Sequence, residues 1–146
     1  MIAAILIPDS GHTLLATHFT VRLRNEPGAL AQLAATLGEH GIDIRTIGAG
    51  AVGNYGCAVL TTSNEAGTRD VLRQARYQFV EGEALNVGVE DRPGALAQLT
   101  GRLGRAGVNI TGLVLLSRHQ GKAELAITVD SIETARRVLA TSSVGV

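Results

Sequence analysis

Residues 25–33 read Asn25-Glu26-Pro27-Gly28-Ala29-Leu30-Ala31-Gln32-Leu33, and residues 91–99 read Asp91-Arg92-Pro93-Gly94-Ala95-Leu96-Ala97-Gln98-Leu99. From Pro27 to Leu33 every residue recurs 66 positions later. At the same spacing Leu37, Gly38, Gly41, Ile42, Asp43 and Ile44 meet Leu103, Gly104, Gly107, Val108, Asn109 and Ile110. Self-similarity over a whole unit marks a duplicated architecture. The 146 residues therefore read as two small units, each close to the size at which independent folding becomes marginal.

Outward from the repeat, each unit reads as strand, helix, strand, strand, helix, strand. Phe19, Val21 and Leu23 alternate with Thr20, Arg22 and Arg24, the period of a half-buried strand. Pro27 and Gly28 open a helix with Leu30, Leu33 and Leu37 on one face, ending near His40 with Gly41 as a left-handed cap. Ile42 and Ile44 begin a second strand. Tyr55 to Thr62 forms a third, with Tyr55, Cys57 and Val59 sharing a face. A helix from Asn64 to about Arg76 and a strand from Tyr77 to Val80 complete the unit. The second unit retraces this path. Ala123, Leu125, Ile127 and Val129 share a face of its third strand, and Asp130 with Glu133 has the spacing of a capping box. The expected fold is α+β: two ferredoxin-like βαββαβ units over residues 19–82 and 83–146, antiparallel sheets with both helices on one face. Residues 1–18 are an N-terminal extension outside the repeat.

Composition narrows the function. Thirteen basic and thirteen acidic side chains cancel, so no strong field draws nucleic acid. Aromatics at 3% leave too few rings to stack bases. Met1 to Ile7 is apolar but lacks a basic flank and is cut by Pro8 and Asp9, unlike a signal peptide. No run approaches the roughly 18 apolar residues of a spanning helix, so no membrane partner is expected. Cys57 is the single cysteine; its lack of a partner favours a reducing, cytosolic setting, and core packing is its expected role.

Two features carry binding chemistry. A helix start offers unpaired N–H groups and about half a positive charge, which suits a carboxylate. The turns Asn25 to Leu30 and Asp91 to Leu96 are such starts, although Asn25 and Asp91 are also ordinary helix caps. The second feature is Asp43 and its counterpart Asn109, whose side-chain oxygens suit an ammonium group. Gly48-Ala49-Gly50-Ala51-Val52-Gly53 spells G-x-G-x-x-G, but a strand follows where a dinucleotide site needs a helix. It reads instead as a glycine-rich turn between strands. His12, His18, His40 and His119 lack metal-ligand spacing, and no nucleophile and base fall together in sequence. No cofactor and no catalytic activity are expected.

A first strand ending in Asn or Asp, then Pro-Gly, a leucine-bearing helix and Gly-Ile/Val-Asp/Asn-Ile resembles the ACT domain pattern, and both halves carry it over residues 19–146. The resemblance implies regulatory modules that bind a free amino acid and control a metabolic enzyme. With no enzyme domain beside the pair, it implies action in trans or a piece of a longer protein, and a homodimer is a further expectation. It also implies a ligand held between the first turn of one unit and the second strand of the other. Asn25 would then join Asn109, and Asp91 would join Asp43. Two carboxylates in the latter pair would repel the ligand's own, so the sites would be unequal. The alternative is an interaction or oligomerisation module without a ligand.

Overall fold

The computed structural model describes residues 4–6 and 16–140. The elements run β1 (Ala4–Leu6), β2 (Thr17–Arg24), α1 (Ala29–Glu39), β3 (Ile44–Val52), β4 (Tyr55–Thr62), α2 (Glu65–Gln74), β5 (Phe79–Glu83), β6 (Leu85–Glu90), α3 (Ala95–Arg105), β7 (Ile110–His119), β8 (Lys122–Val129) and α4 (Ile132–Ala140). The chain divides into two compact units: Thr17–Gly82, and Met1–Ala16 together with Glu83–Val146.

In the Thr17–Gly82 unit the sheet order is β3-β4-β2-β5. Phe19 and Val21 of β2 face α1 and α2, packing with Leu33, Leu37, Leu60, Val71 and Leu72 in one buried cluster. Pairing of Phe19 with Leu60 and Val21 with Ala58 puts the even-numbered residues of β4 on this covered face. Tyr55, Cys57 and Val59 do share a face, but it is the other one, and Cys57 is exposed. Core packing was therefore the wrong expectation for Cys57. Register decided it, because Ala58 and Leu60 fill the core as well as Cys57 and Val59 would. Leu30, expected on the buried stripe, is 44% exposed, since it sits in the first turn of α1 at the stripe's margin. The glycine-rich stretch is also not a turn. Gly48 to Val52 belong to β3 and pair with Val59 to Tyr55, leaving only Gly53, at φ +66°, and Asn54 to reverse the chain.

In the other unit the order is β1-β6-β8-β7. Leu85, Val87 and Val89 of β6 pack with Leu99, Leu103, Leu125, Ile127 and Leu139. The N-terminal stretch, unassigned by the repeat, supplies β1, which pairs antiparallel with β6 through Ala4–Val89, Ile5–Gly88 and Leu6–Val87. β1 thus occupies beside β6 the place that β5 occupies beside β2. The first repeat is spliced into the second in sequence. The stretch after α4, where the repeat pattern put the last strand, lies outside the described residues.

Helix ends follow from local chemistry. After α1, Ile42 N–H bonds Leu37 C=O at 3.1 Å and Gly41 N–H bonds Gly38 C=O at 2.9 Å, with Gly41 at φ +70°. This double bond pattern around a left-handed residue satisfies the last carbonyls. Val108, Gly107, Leu103 and Gly104 repeat it after α3. After α2 the same bonds run from Tyr77 to Leu72 and from Arg76 to Arg73, but the left-handed residue is Arg76, at φ +62°. A side chain there costs about 1–2 kcal/mol that glycine would not. The capping box expected at Asp130 is displaced: α4 begins at Ile132, and Asp130 Oδ1 accepts instead from the Asn109 N–H.

Candidate functional site at the strand-to-helix turns

In both repeats the strand runs into the helix through Pro-Gly. Gly28 and Gly94 are the N-cap residues, at φ 85° and 88°, and neither helix receives a side-chain cap. An added Cβ would meet nothing within 4 Å at either glycine. The backbone angle, not crowding, requires glycine here. Asn25 is therefore not a helix cap. It ties the turn to the β3–β4 hairpin, its N–H donating to Asn54 C=O and its Nδ2 to Gly53 C=O, each at 2.9 Å. Asp91 N–H likewise donates to Gly121 C=O at 2.8 Å.

The first turn borders a groove of about 620 Å³. Glu26, Pro27, Gly28 and Ala29 line it; Asn25, Leu30 and Asp43 do not. Its cationic wall comes from Arg22 and Arg24 on the open face of β2 and from Arg76 after α2. Arg22 is held in place: its guanidinium lies 3.8 Å from the centre of the Tyr55 ring and donates to Gln78 Oε1 at 2.9 Å. Such stacking suits a planar cation. The alternation along β2 already marks Arg22 and Arg24 as facing away from the core. No sequence pattern links Arg76 to them, because helix α2 intervenes.

The second turn is charged differently. Arg92, the counterpart of Glu26, pairs with Glu90 and donates to Gln98 Oε1 at 3.1 Å. Asp91 lies 3.7 Å from Arg118. Pro93, Gly94, Ala95 and Leu96 follow the path of their counterparts; Ala95 is buried and Leu96 is 47% exposed. Asp43 and Asn109 are both exposed and brace their own sheets by backbone. Asp43 N–H donates to Ser63 Oγ at 3.0 Å, and Asn109 N–H donates to Asp130 Oδ1 at 2.9 Å.

Elsewhere, His18 is buried at 4% exposure, and that burial pushes its imidazole below the ordinary 6.5. Among the described residues no group of three or more His, Cys, Asp or Glu could hold a metal ion. No helix among them is long and apolar enough to cross a membrane.

Comparison with known proteins agrees with this architecture. Crystal structures share the fold at low identity. Protein BT0572 from Bacteroides thetaiotaomicron matches with a TM-score of 0.66 at 18% identity, over 97% of this chain and 91% of that one. The ligand-free regulatory subunit of aspartate kinase from Thermus thermophilus matches at 0.59 and 16%, over 88% and 93%. A structure of aspartokinase alpha and beta subunits matches at 0.61 and 17%, over 90% and 94%. No curated protein matches the sequence. The ACT domain family matches residues 84–142 and the ACT domain pair matches residues 4–88; the chain belongs to the ACT domain family, as a tandem pair.

Proposed function

We propose that this ACT pair is a regulatory protein that binds a free α-amino acid and conveys its presence to a partner enzyme in trans, with no catalysis of its own. The ligand's carboxylate is taken at a strand-to-helix turn, Asn25 to Leu30 in one repeat or Asp91 to Leu96 in the other. Asp43 and Asn109 are the candidate acceptors for its ammonium group. The observation that carries the reading is the first turn itself: an uncapped helix start opening on a groove with a cationic wall. Uncapped N–H groups and the helix dipole both favour an anion there. The shared fold with aspartate kinase regulatory subunits supports the regulatory role.

A thermal-shift screen of the protein-forming amino acids tests this. A ligand bound only by the folded state at 100 times its Kd adds about 2.7 kcal/mol, enough to raise the Tm by several degrees. Asn109→Ala then reports whether that residue takes part. No shift with any amino acid would reject the reading in favour of an interaction module. For that alternative the structure offers β3, an edge strand without charge or proline from Thr46 to Val52, open to pairing. Self-association in sedimentation would then be the expected result.

A further inference from the structure

The first groove holds more positive charge than an amino acid's single carboxylate requires. Arg22, Arg24 and Arg76 line it against one acidic residue, Glu26. Arg22 is engaged by Tyr55 and Gln78. The guanidinium groups of Arg24 and Arg76 have no hydrogen-bond or ion-pair partner among the described residues. Surface arginines without partners are common singly; two beside a third in one groove concentrate an unbalanced field on a small volume.

The repeat supplies an internal control. At the matching positions of β6, Arg22 and Arg24 are replaced by Gly88 and Glu90, and Glu26 by Arg92. There the charges neutralise each other, Arg92 against Glu90. The turn backbone is the same in both, so the βαββαβ fold does not need the arginines. Arg76 makes the point independently. The left-handed position that ends α1 and α3 is glycine, at Gly41 and Gly107, while α2 ends on a strained arginine. Strain at a non-glycine residue that glycine would relieve is retained where the side chain has a use.

We propose that the groove of the first repeat selects an α-amino acid whose side chain also ends in a carboxylate, taken by Arg24 and Arg76 with Arg22 flanking. The proposal rests on the reading of the adjacent turn as the amino-acid site. Guanidinium is suited to the task because its planar fork donates two parallel hydrogen bonds to a carboxylate.

Titration calorimetry on the full chain separates the outcomes, using L-aspartate and L-glutamate against L-asparagine and L-glutamine, which match them in shape without the charge. We expect one of the acids to bind about 10-fold or more tightly than its amide, the size of one lost charge-assisted bond. Equal affinity for acid and amide would overturn this proposal and leave amino-acid binding intact. No binding of any amino acid would overturn both. Succinate or inorganic phosphate binding as tightly as the acids would show a general anion site and overturn the ligand class.

Arg76→Gly then distinguishes a binding role from a structural one. It should raise the Tm by relieving the left-handed strain, yet weaken binding of the acid about 10-fold while leaving that of its amide nearly unchanged. Arg24→Gln should weaken binding alike, with unchanged circular dichroism. Full affinity in both variants would overturn the assignment.

Discussion

The two strand-to-helix turns share a backbone and every residue from the Pro-Gly pair onward, and differ in the charges set around them. Gly28 and Gly94 take nearly the same left-handed angle, and Leu33 and Leu99 are equally buried behind them. Yet the counterpart of Arg24 is Glu90, and that of Glu26 is Arg92. One turn opens on an unbalanced cationic groove; the other closes its charges into local pairs. Surface ion pairs of that kind contribute about 0–1 kcal/mol, so stability does not account for the divergence. A duplicated fold keeps what packing and backbone angles demand, and its exposed charges are free to separate in function.

The sheets differ in a second way, and the largest expected effect follows from it. One sheet draws its fourth strand from the residues just after its own second helix, the other from β1 at the N-terminus. Removing residues 1–10 takes away the three paired positions of β1. At about 1 kcal/mol for each lost bond, the Glu83–Val146 unit should lose about 2–4 kcal/mol. Hydrogen exchange should quicken at Leu85 to Glu90 and stay unchanged at Thr17 to Arg24. Equal quickening in both strands would mean that β1 does not serve one sheet alone.

A middle-sized effect tests the shared part of the comparison. Since an added Cβ meets nothing at Gly28 or Gly94, alanine at either costs only the left-handed penalty, about 1–2 kcal/mol. Urea unfolding of Gly28→Ala and Gly94→Ala should show matching losses. A much larger loss at one of them would mean that the two turns are not equivalent even in backbone.

The smallest effect belongs to His18, whose counterpart 66 residues on is Ala84, likewise buried. Burial holds the folded-state pKa of His18 below 6.5, so the unfolded chain takes up a proton that the folded chain resists. Its contribution is complete above pH 6.5 and is lost as the pH falls through that value toward the folded-state pKa. The Thr17–Gly82 unit should therefore weaken on acidification, and His18→Gln should flatten that slope. An unchanged slope in the variant would place the sensitive group elsewhere.

Much of this was legible without coordinates. The Pro-Gly repeat, the alternation of Phe19, Val21 and Leu23, and the glycines after α1 and α3 carry their conformations locally, through backbone sterics and period. The element order and both core helices follow from them. Three matters did not follow, and each depends on contacts distant in sequence. Which face of β4 is buried was decided by its register against β2, which is why Cys57 lies in the open. The length of β3 through Gly48 to Val52 was decided by its ladder with β4, which overrides glycine's weak preference for strands. The pairing of β1 with β6 joins residues some 80 positions apart, and so short a strand has no period to read. For the candidate site the division is the same. The turn residues from Asn25 to Leu30 announced themselves by type and spacing, because a helix start is a local structure. The cationic groove exists only because β2 and the end of α2 meet, bringing Arg76 to Arg22 and Arg24 across most of the repeat.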